Sequence, residues 1–216
     1  MKKIERADLR IGYSCNNNCR FCVVADSRNK FPEMKTDKVK KLIRNAKKRG
    51  AKQVTFTGGE PTLRKDIFEL VGYAEGIGFE TIMFTTNGRI FAYMDFTKKL
   101  VDLGANKFMI SLHAHTKKLN AYLTRVPESF EQTVKGIKNL YKLDQNLVAS
   151  FVVMKPNYKI LPEYAKFISK LGIKKTLQMT FVMPFGEAVV NQKEILPKYS
   201  KAAPYIKKVI DIKDKI

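Results

Sequence analysis

Cysteine is scarce in this chain and confined to one place: three occur among 216 residues, all within an eight-residue window, and none follows Cys22. An odd, clustered set does not make a disulfide framework, so the thiols read as metal ligands or a catalytic site in a reducing compartment. Long apolar runs are missing too. No stretch approaches the ~20 residues that span a bilayer, and the start, Met1-Lys2-Lys3-Ile4-Glu5-Arg6, is charged where a signal peptide is apolar. The expectation is a soluble, cytoplasmic protein with no membrane partner. No low-complexity linker divides the chain, which is read as a single domain over residues 1–216 with a short or truncated C-terminal extension after about residue 185. Acidic residues are few, 20 against 41 Lys and Arg, for a net charge of +21. Such an excess suits an anionic partner such as nucleic acid. The lysines nevertheless recur on almost every predicted helix (Lys38, Lys40, Lys41, Lys47 and Lys48 on the first, Lys207 and Lys208 on the last), as a solvated shell also would.

What is present is a regular alternation. Apolar, β-rich runs at Leu9–Tyr13, Gln53–Thr57, Thr81–Thr86, Lys107–Leu112, Leu147–Met154 and Leu177–Met183 predict strands. Several are apolar nearly throughout, which predicts parallel strands covered on both faces. Segments of helical period fill the gaps. Thr36 is placed to cap the first, which buries Val39, Leu42, Ile43 and Ala46 and stops at Gly50. Asp66 opens the second, and a third runs from about Asp95 to Leu103. Ser129 with Gln132 forms a capping-box pattern, and Pro162 and Pro197 suit first helical turns. Six strand–helix units in series imply parallel strands with helical crossovers. A closed eight-unit barrel typically needs ~250 residues. The fold class is therefore α/β: an open, partial (β/α)6 TIM-like barrel, with its functional loops at the carboxyl ends of the strands.

Directly after the first strand comes Ser14-Cys15-Asn16-Asn17-Asn18-Cys19-Arg20-Phe21-Cys22, a C-x3-C-x2-C spacing. Thiolates are soft ligands that suit iron–sulfur clusters or zinc. Three of them on a four-iron cube leave one iron free for another ligand. Asn16, Asn17 and Asn18 are expected to tolerate unusual backbone angles in the loop. The alternative is a Cys3His zinc site completed by His113 or His115, although zinc sites usually pair their cysteines as separate knuckles.

With Phe21 just before the last thiol, the spacing resembles the signature of the radical S-adenosylmethionine superfamily. The second strand ends in Gly58-Gly59-Glu60-Pro61, similar to the Gly-Gly-Glu-Pro motif of the same superfamily. Two glycines after a strand let a ligand approach the backbone, and the resemblance implies that Glu60 accepts from the cofactor's ammonium group. Further positions follow by resemblance: Asn87 in the Thr-Asn-Gly turn, Ser111 and His113 near the cofactor, Arg125 on its carboxylate, and Val153 and Met183 beside the adenine. Each has a plainer reading: an ordinary turn, a surface arginine, or core. His113 and His115, two apart on a predicted strand, would face one side.

The resemblance implies a 4Fe-4S cluster on Cys15, Cys19 and Cys22. It also implies S-adenosylmethionine as cofactor, cleaved reductively to a 5′-deoxyadenosyl radical that takes hydrogen from a substrate. An electron donor such as ferredoxin or flavodoxin is implied as partner. A peptide or small metabolite is favoured as substrate, a nucleotide or RNA is the alternative, and a non-catalytic metal-stabilised nucleic-acid-binding module is the reading from another class.

Overall fold

The computed structural model describes residues 3–28 and 30–213. Six strands, β1 (Arg6–Gly12), β2 (Gln53–Gly58), β3 (Thr81–Thr86), β4 (Lys107–Ser111), β5 (Asn146–Val153) and β6 (Leu177–Phe181), form one sheet in chain order. Every neighbouring pair is parallel. The sheet is open, so β1 and β6 are its edges.

The strand faces differ more than the sequence suggests. One face is apolar and packs under the helices, with Val54 and Phe56, Ile82 and Phe84, Phe108 and Ile110, and Phe151 and Val153 almost wholly buried. Phe56, Phe84 and Phe108 step across three strands with ring centroids 5.4 and 6.0 Å apart. Burying each contributes roughly 1.5–3 kcal/mol. The opposite face carries Arg10, Thr57, Thr85, Ser111 and Thr180; it is exposed on the edge strands at Asp8, Gln178 and Thr180, and buried on the inner strands at Thr55, Met83 and Val148. The expectation of strands covered on both faces thus holds for the inner strands and fails at the edges β1 and β6, where the unclosed sheet leaves polar residues exposed.

The crossovers are α1 (Thr36–Lys48), α2 (Ile67–Gly76), α3 (Met94–Asp102), the pair α4 (Lys117–Thr124) and α5 (Ser129–Lys142), and α6 (Leu161–Lys170). After β6 come two short helices, α7 (Glu187–Val190) and α8 (Gln192–Ile195), then α9 (Tyr199–Ile212). Thr36 does not cap α1. It is the first helical residue, and its hydroxyl donates to Asp66 Oδ2 at 2.7 Å, tying α1 to the start of α2. Ser129 likewise lies inside α5 after Glu128, because its hydroxyl is taken up by a buried network with Asn120 (2.7 Å), Thr124 (2.9 Å) and the Val126 carbonyl (2.8 Å). The helix α4 has no counterpart in the sequence reading, being short and weakly amphipathic. Among the described residues no helix is long and apolar enough to cross a membrane.

Candidate functional site

The cysteine loop leaves β1 and crosses the carboxyl ends of the strands. Its thiols face a cavity of about 370 Å³, lined also by Gly58, Gly59, Thr86, Asn87, Ser111, His113 and Met183. Phe21 lines it from the loop side and seats its ring edge-on to His113, with centroids 4.9 Å apart. Behind Phe21 lies a second, smaller apolar cluster of Leu123, Met154, Val182, Ala188 and Ile195, so α4, α8 and the ends of β5 and β6 all brace the loop.

The three asparagines hold the loop by hydrogen bonds, not by unusual backbone angles. Among the described residues only Arg125 and Asp144 are non-glycine residues with positive φ. Asn16 Oδ1 accepts from Asn87 Nδ2 at 2.7 Å, Asn18 N donates to the Thr124 carbonyl at 3.0 Å, and Asn17 N points at Cys15 Sγ at 3.4 Å. Arg89 clamps the same stretch, donating to the Asn16 carbonyl and to Asn17 Oδ1 at 3.0 Å. Nothing in the residues around Arg89 marks that role in advance.

The two glycines of the β2 turn admit a neighbouring stretch of protein backbone. Gly59 N donates to the Gly12 carbonyl at 3.0 Å and Glu60 N to the Ser14 carbonyl at 2.7 Å, so the turn is laced to the chain entering Cys15. Gly58 has φ +141°, and a methyl on it would lie 2.1 Å from the Gly12 carbonyl oxygen. Both glycines also line the cavity, where their backbone groups are the polar surface on offer.

Glu60 is not among the residues lining the cavity. It lies buried behind the wall. Oε1 accepts from Thr62 N (3.2 Å), Thr62 Oγ1 (2.7 Å) and Thr86 Oγ1 (2.8 Å), and Oε2 accepts from Asn87 N (2.7 Å). Burial pushes its carboxyl above the ordinary carboxylate range, opposed by those four donors. These bonds make Glu60 a strut that fixes Thr86 and Asn87 against the cavity, with Pro61 starting a short buried turn beside it.

Other expected positions divide. Asn87, Ser111, His113 and Met183 line the cavity, whereas Val153 and Arg125 do not. Val153 is fully buried on the helix-facing side of β5, and its neighbour Val152 lines the cavity, as strand alternation dictates. Arg125 ends α4 and pairs with Glu187 Oε2 at 2.7 Å and Asn191 Oδ1 at 3.3 Å. That pairing holds the Glu187 carboxyl below its usual range.

β4 stops at Ser111, so the two histidines lie beyond it and do not share a side. His115 packs near Phe167, its Nδ1 buried without a partner, away from the thiols. His113 Nδ1 accepts from Val152 N at 3.2 Å, so its neutral ring carries the proton on Nε2 and presents a donor, not a ligand. Neither histidine is arranged as a zinc ligand. Among the described residues no three Cys, His, Asp or Glu side chains gather around a single-ion point. The thiols face a larger space. Cys15 and Cys19 are held as neutral thiols by burial, and a metal cluster would replace those protons.

Burial pushes His113 down to about 4. Unfolded, it titrates near 6.5, so the unfolded chain binds the extra proton between those values and stability falls as pH drops through that window. Chemical denaturation of the iron-free protein should register a loss of roughly 3 kcal/mol from this group between pH 6.5 and 4. His113→Gln should flatten the slope; an unchanged slope would mean that the ring is protonated in the fold.

Comparison with known proteins bears on this geometry. Residues 9–184 match the family described as Radical SAM superfamily. A probable GTP 3′,8-cyclase of Saccharolobus solfataricus is 32% identical over 192 residues, covering 87% of this chain and 60% of that protein. One from Sulfurisphaera tokodaii is 26% identical, covering 86% and 58%. The chain thus spans about 60% of the length of the curated relatives it matches. Among solved structures, Streptococcus suis SuiB bound to S-adenosylmethionine has a TM-score of 0.76 at 21% identity, covering 97% of this chain and 48% of that one. TYW1 with a lysine-pyruvate adduct bound has a TM-score of 0.66 at 18% identity, covering 98% and 73%. These likenesses show the fold, a partial TIM barrel.

Proposed function

The chain belongs to the radical S-adenosylmethionine superfamily, whose members use a 4Fe-4S cluster and S-adenosylmethionine, and from that membership we propose a residue assignment and a substrate class. Cys15, Cys19 and Cys22 hold the cluster. The backbone of Gly58 and Gly59, with Asn87, Ser111, Phe21 and Met183, forms the bed for S-adenosylmethionine. Bound there, the two groups supply one-electron cleavage of the sulfonium and so an organic radical that takes hydrogen from a substrate.

The observation that carries the assignment is the cavity itself: three thiols on one wall, glycine backbone on another, and hydroxyls from the ends of β2, β3, β4 and β6 between them. The residues of this chain orient and exclude. His113 offers its Nε2 proton to the cavity, Phe21 and Val182 keep water from its rear, and Glu60 holds the Asn87 turn in place.

The substrate we propose is an anionic small molecule of the nucleotide class. Arg10, on the lumen face of β1, lines the cavity with its guanidinium 5.9 Å from the centre of the Tyr13 ring and without an ion-pair partner among the described residues. A free guanidinium beside hydroxyl-bearing strand ends is suited to phosphate oxygens. The names of the curated relatives, probable GTP 3′,8-cyclases, support the nucleotide alternative over the peptide or small metabolite that the sequence alone favours. An electron donor of the ferredoxin or flavodoxin class completes the system.

Anaerobic loading with iron and sulfide, then dithionite and S-adenosylmethionine, should yield 5′-deoxyadenosine, and Cys19→Ala should lower it to background. Production that persists in that variant would refute the thiolate assignment. A purine nucleoside triphosphate should accelerate the wild-type reaction and take part in hydrogen transfer; acceleration by peptides alone would refute the substrate class.

A further inference from the structure

Arg28 lies six residues beyond Cys22, outside every motif that marks the family. The other arginines buried around the loop are neutralised by carboxylates: Arg64 by Asp66 and Glu33, Arg89 by Glu128, and Arg125 by Glu187. Arg28 forms no ion pair among the described residues, yet it lines the same cavity as the thiols. Its guanidinium is spread over the loop. Nη1 donates to the Asn17 carbonyl at 2.7 Å, Nη2 donates to Cys22 Sγ at 3.3 Å, and Nε is buried with no acceptor among the described residues.

A buried guanidinium N–H without an acceptor costs free energy unless something anionic arrives to take it. The geometry points to Arg28 as a positioning residue for the cluster: it fixes the Cys22 sulfur and sets a permanent positive charge beside the thiolates, so that the cluster accepts its electron more readily. This inference rests on the assignment of the cluster to the three cysteines. The physics is one of sign. Each thiolate brings a negative charge, and reduction adds another in a site of low polarity. A fixed cation that donates hydrogen bonds to sulfur favours the reduced state over the oxidised one and raises the potential. Arginine suits the task because it stays charged at every working pH and its planar fork reaches sulfur and carbonyl together. The Asn17 contact sets the plane of the fork, since Asn17 is itself held by Arg89.

The test is a mediated redox titration of the reconstituted holoenzyme, followed by the electron paramagnetic resonance signal of the reduced cluster. Arg28→Gln removes the charge and Arg28→Lys keeps it without the fork. Both should load iron to the wild-type level, and both should titrate at lower potential, the glutamine variant further. For Arg28→Gln the ratio of reduced to oxidised cluster at fixed potential should fall about tenfold, which is about 59 mV for a one-electron couple. Unchanged potentials at wild-type iron content would overturn the inference. Loss of iron from both variants would also overturn it, making Arg28 a residue of loop structure. A wild-type protein that takes up no iron would instead remove the thiolate assignment, and this inference with it.

Discussion

Gly59→Ala is expected to cost the protein its iron while leaving the sheet folded. A methyl at this position would lie 2.3 Å from the carbonyl oxygens of both Tyr13 and Ser14, and no real contact is that close. The neighbours are backbone atoms and cannot rotate aside. They form the span that carries the chain into Cys15, so relief requires moving the first thiol relative to the other two. Overpacking of this kind costs about 1–3 kcal/mol, and the displacement falls on the ligand loop. Gly59→Ala should bind iron at least about tenfold more weakly than wild type, on the order of what loss of an outer-shell partner causes, with an unaltered far-ultraviolet circular dichroism spectrum. Wild-type iron affinity would show that the loop and the turn are not coupled as their hydrogen bonds indicate.

Glu60→Ala should be the most destabilising single truncation around the site. It removes the acceptor of four buried donors at once: Thr62 N, Thr62 Oγ1, Thr86 Oγ1 and Asn87 N. Each buried donor left unpaired costs about 1–3 kcal/mol, and the Thr86 hydroxyl proton finds no substitute in Gly88 N, which itself donates to Thr86 Oγ1 at 3.0 Å. A loss of about 3–5 kcal/mol in urea denaturation is expected. Glu60→Gln should fall between, since an amide oxygen can serve the threonines but its nitrogen meets Asn87 N donor to donor. The carboxyl also has a pH signature. Its value in the fold is raised by burial, so the folded state prefers the proton and loses stability as pH climbs from the unfolded carboxylate value through the folded one. The glutamine variant should lack that decline. Wild-type stability in Glu60→Ala, with only cofactor affinity reduced, would favour the ammonium contact and dismiss the strut.

The buried bonds of Glu60 to Thr62, Thr86 and Asn87 show where sequence reading stops. The six strands, their order and the thiol loop were legible because they rest on local signals: apolar runs, glycine stops and a fixed spacing of three cysteines. Strand limits differ by a few residues, as for β1, which begins at Arg6 and not Leu9. An apolar strand end does not declare its parity, and one residue of shift exchanges lumen for core: Val153 faces the helices, and Val152 lines the cavity. His113 and His115 were paired on a strand that in fact stops at Ser111. Arg28 and Arg89 were invisible. Arginines are usually solvated, and only the fold brings one against Cys22 and the other against Asn16 and Asn17.

The far-flung moorings of the cysteine loop also dictate when it takes shape. Arg20 is joined to Asn191 through bonds spanning 171 positions of chain, and the Cys22 carbonyl accepts from Glu187 N at 3.1 Å. Contacts of such separation form late, because each must close a long loop of chain first. On the ribosome, a segment made among the first two dozen residues therefore waits for the last strand and the two helices after it. The loop is thus the part of the fold that sets last, after the sheet that supports it.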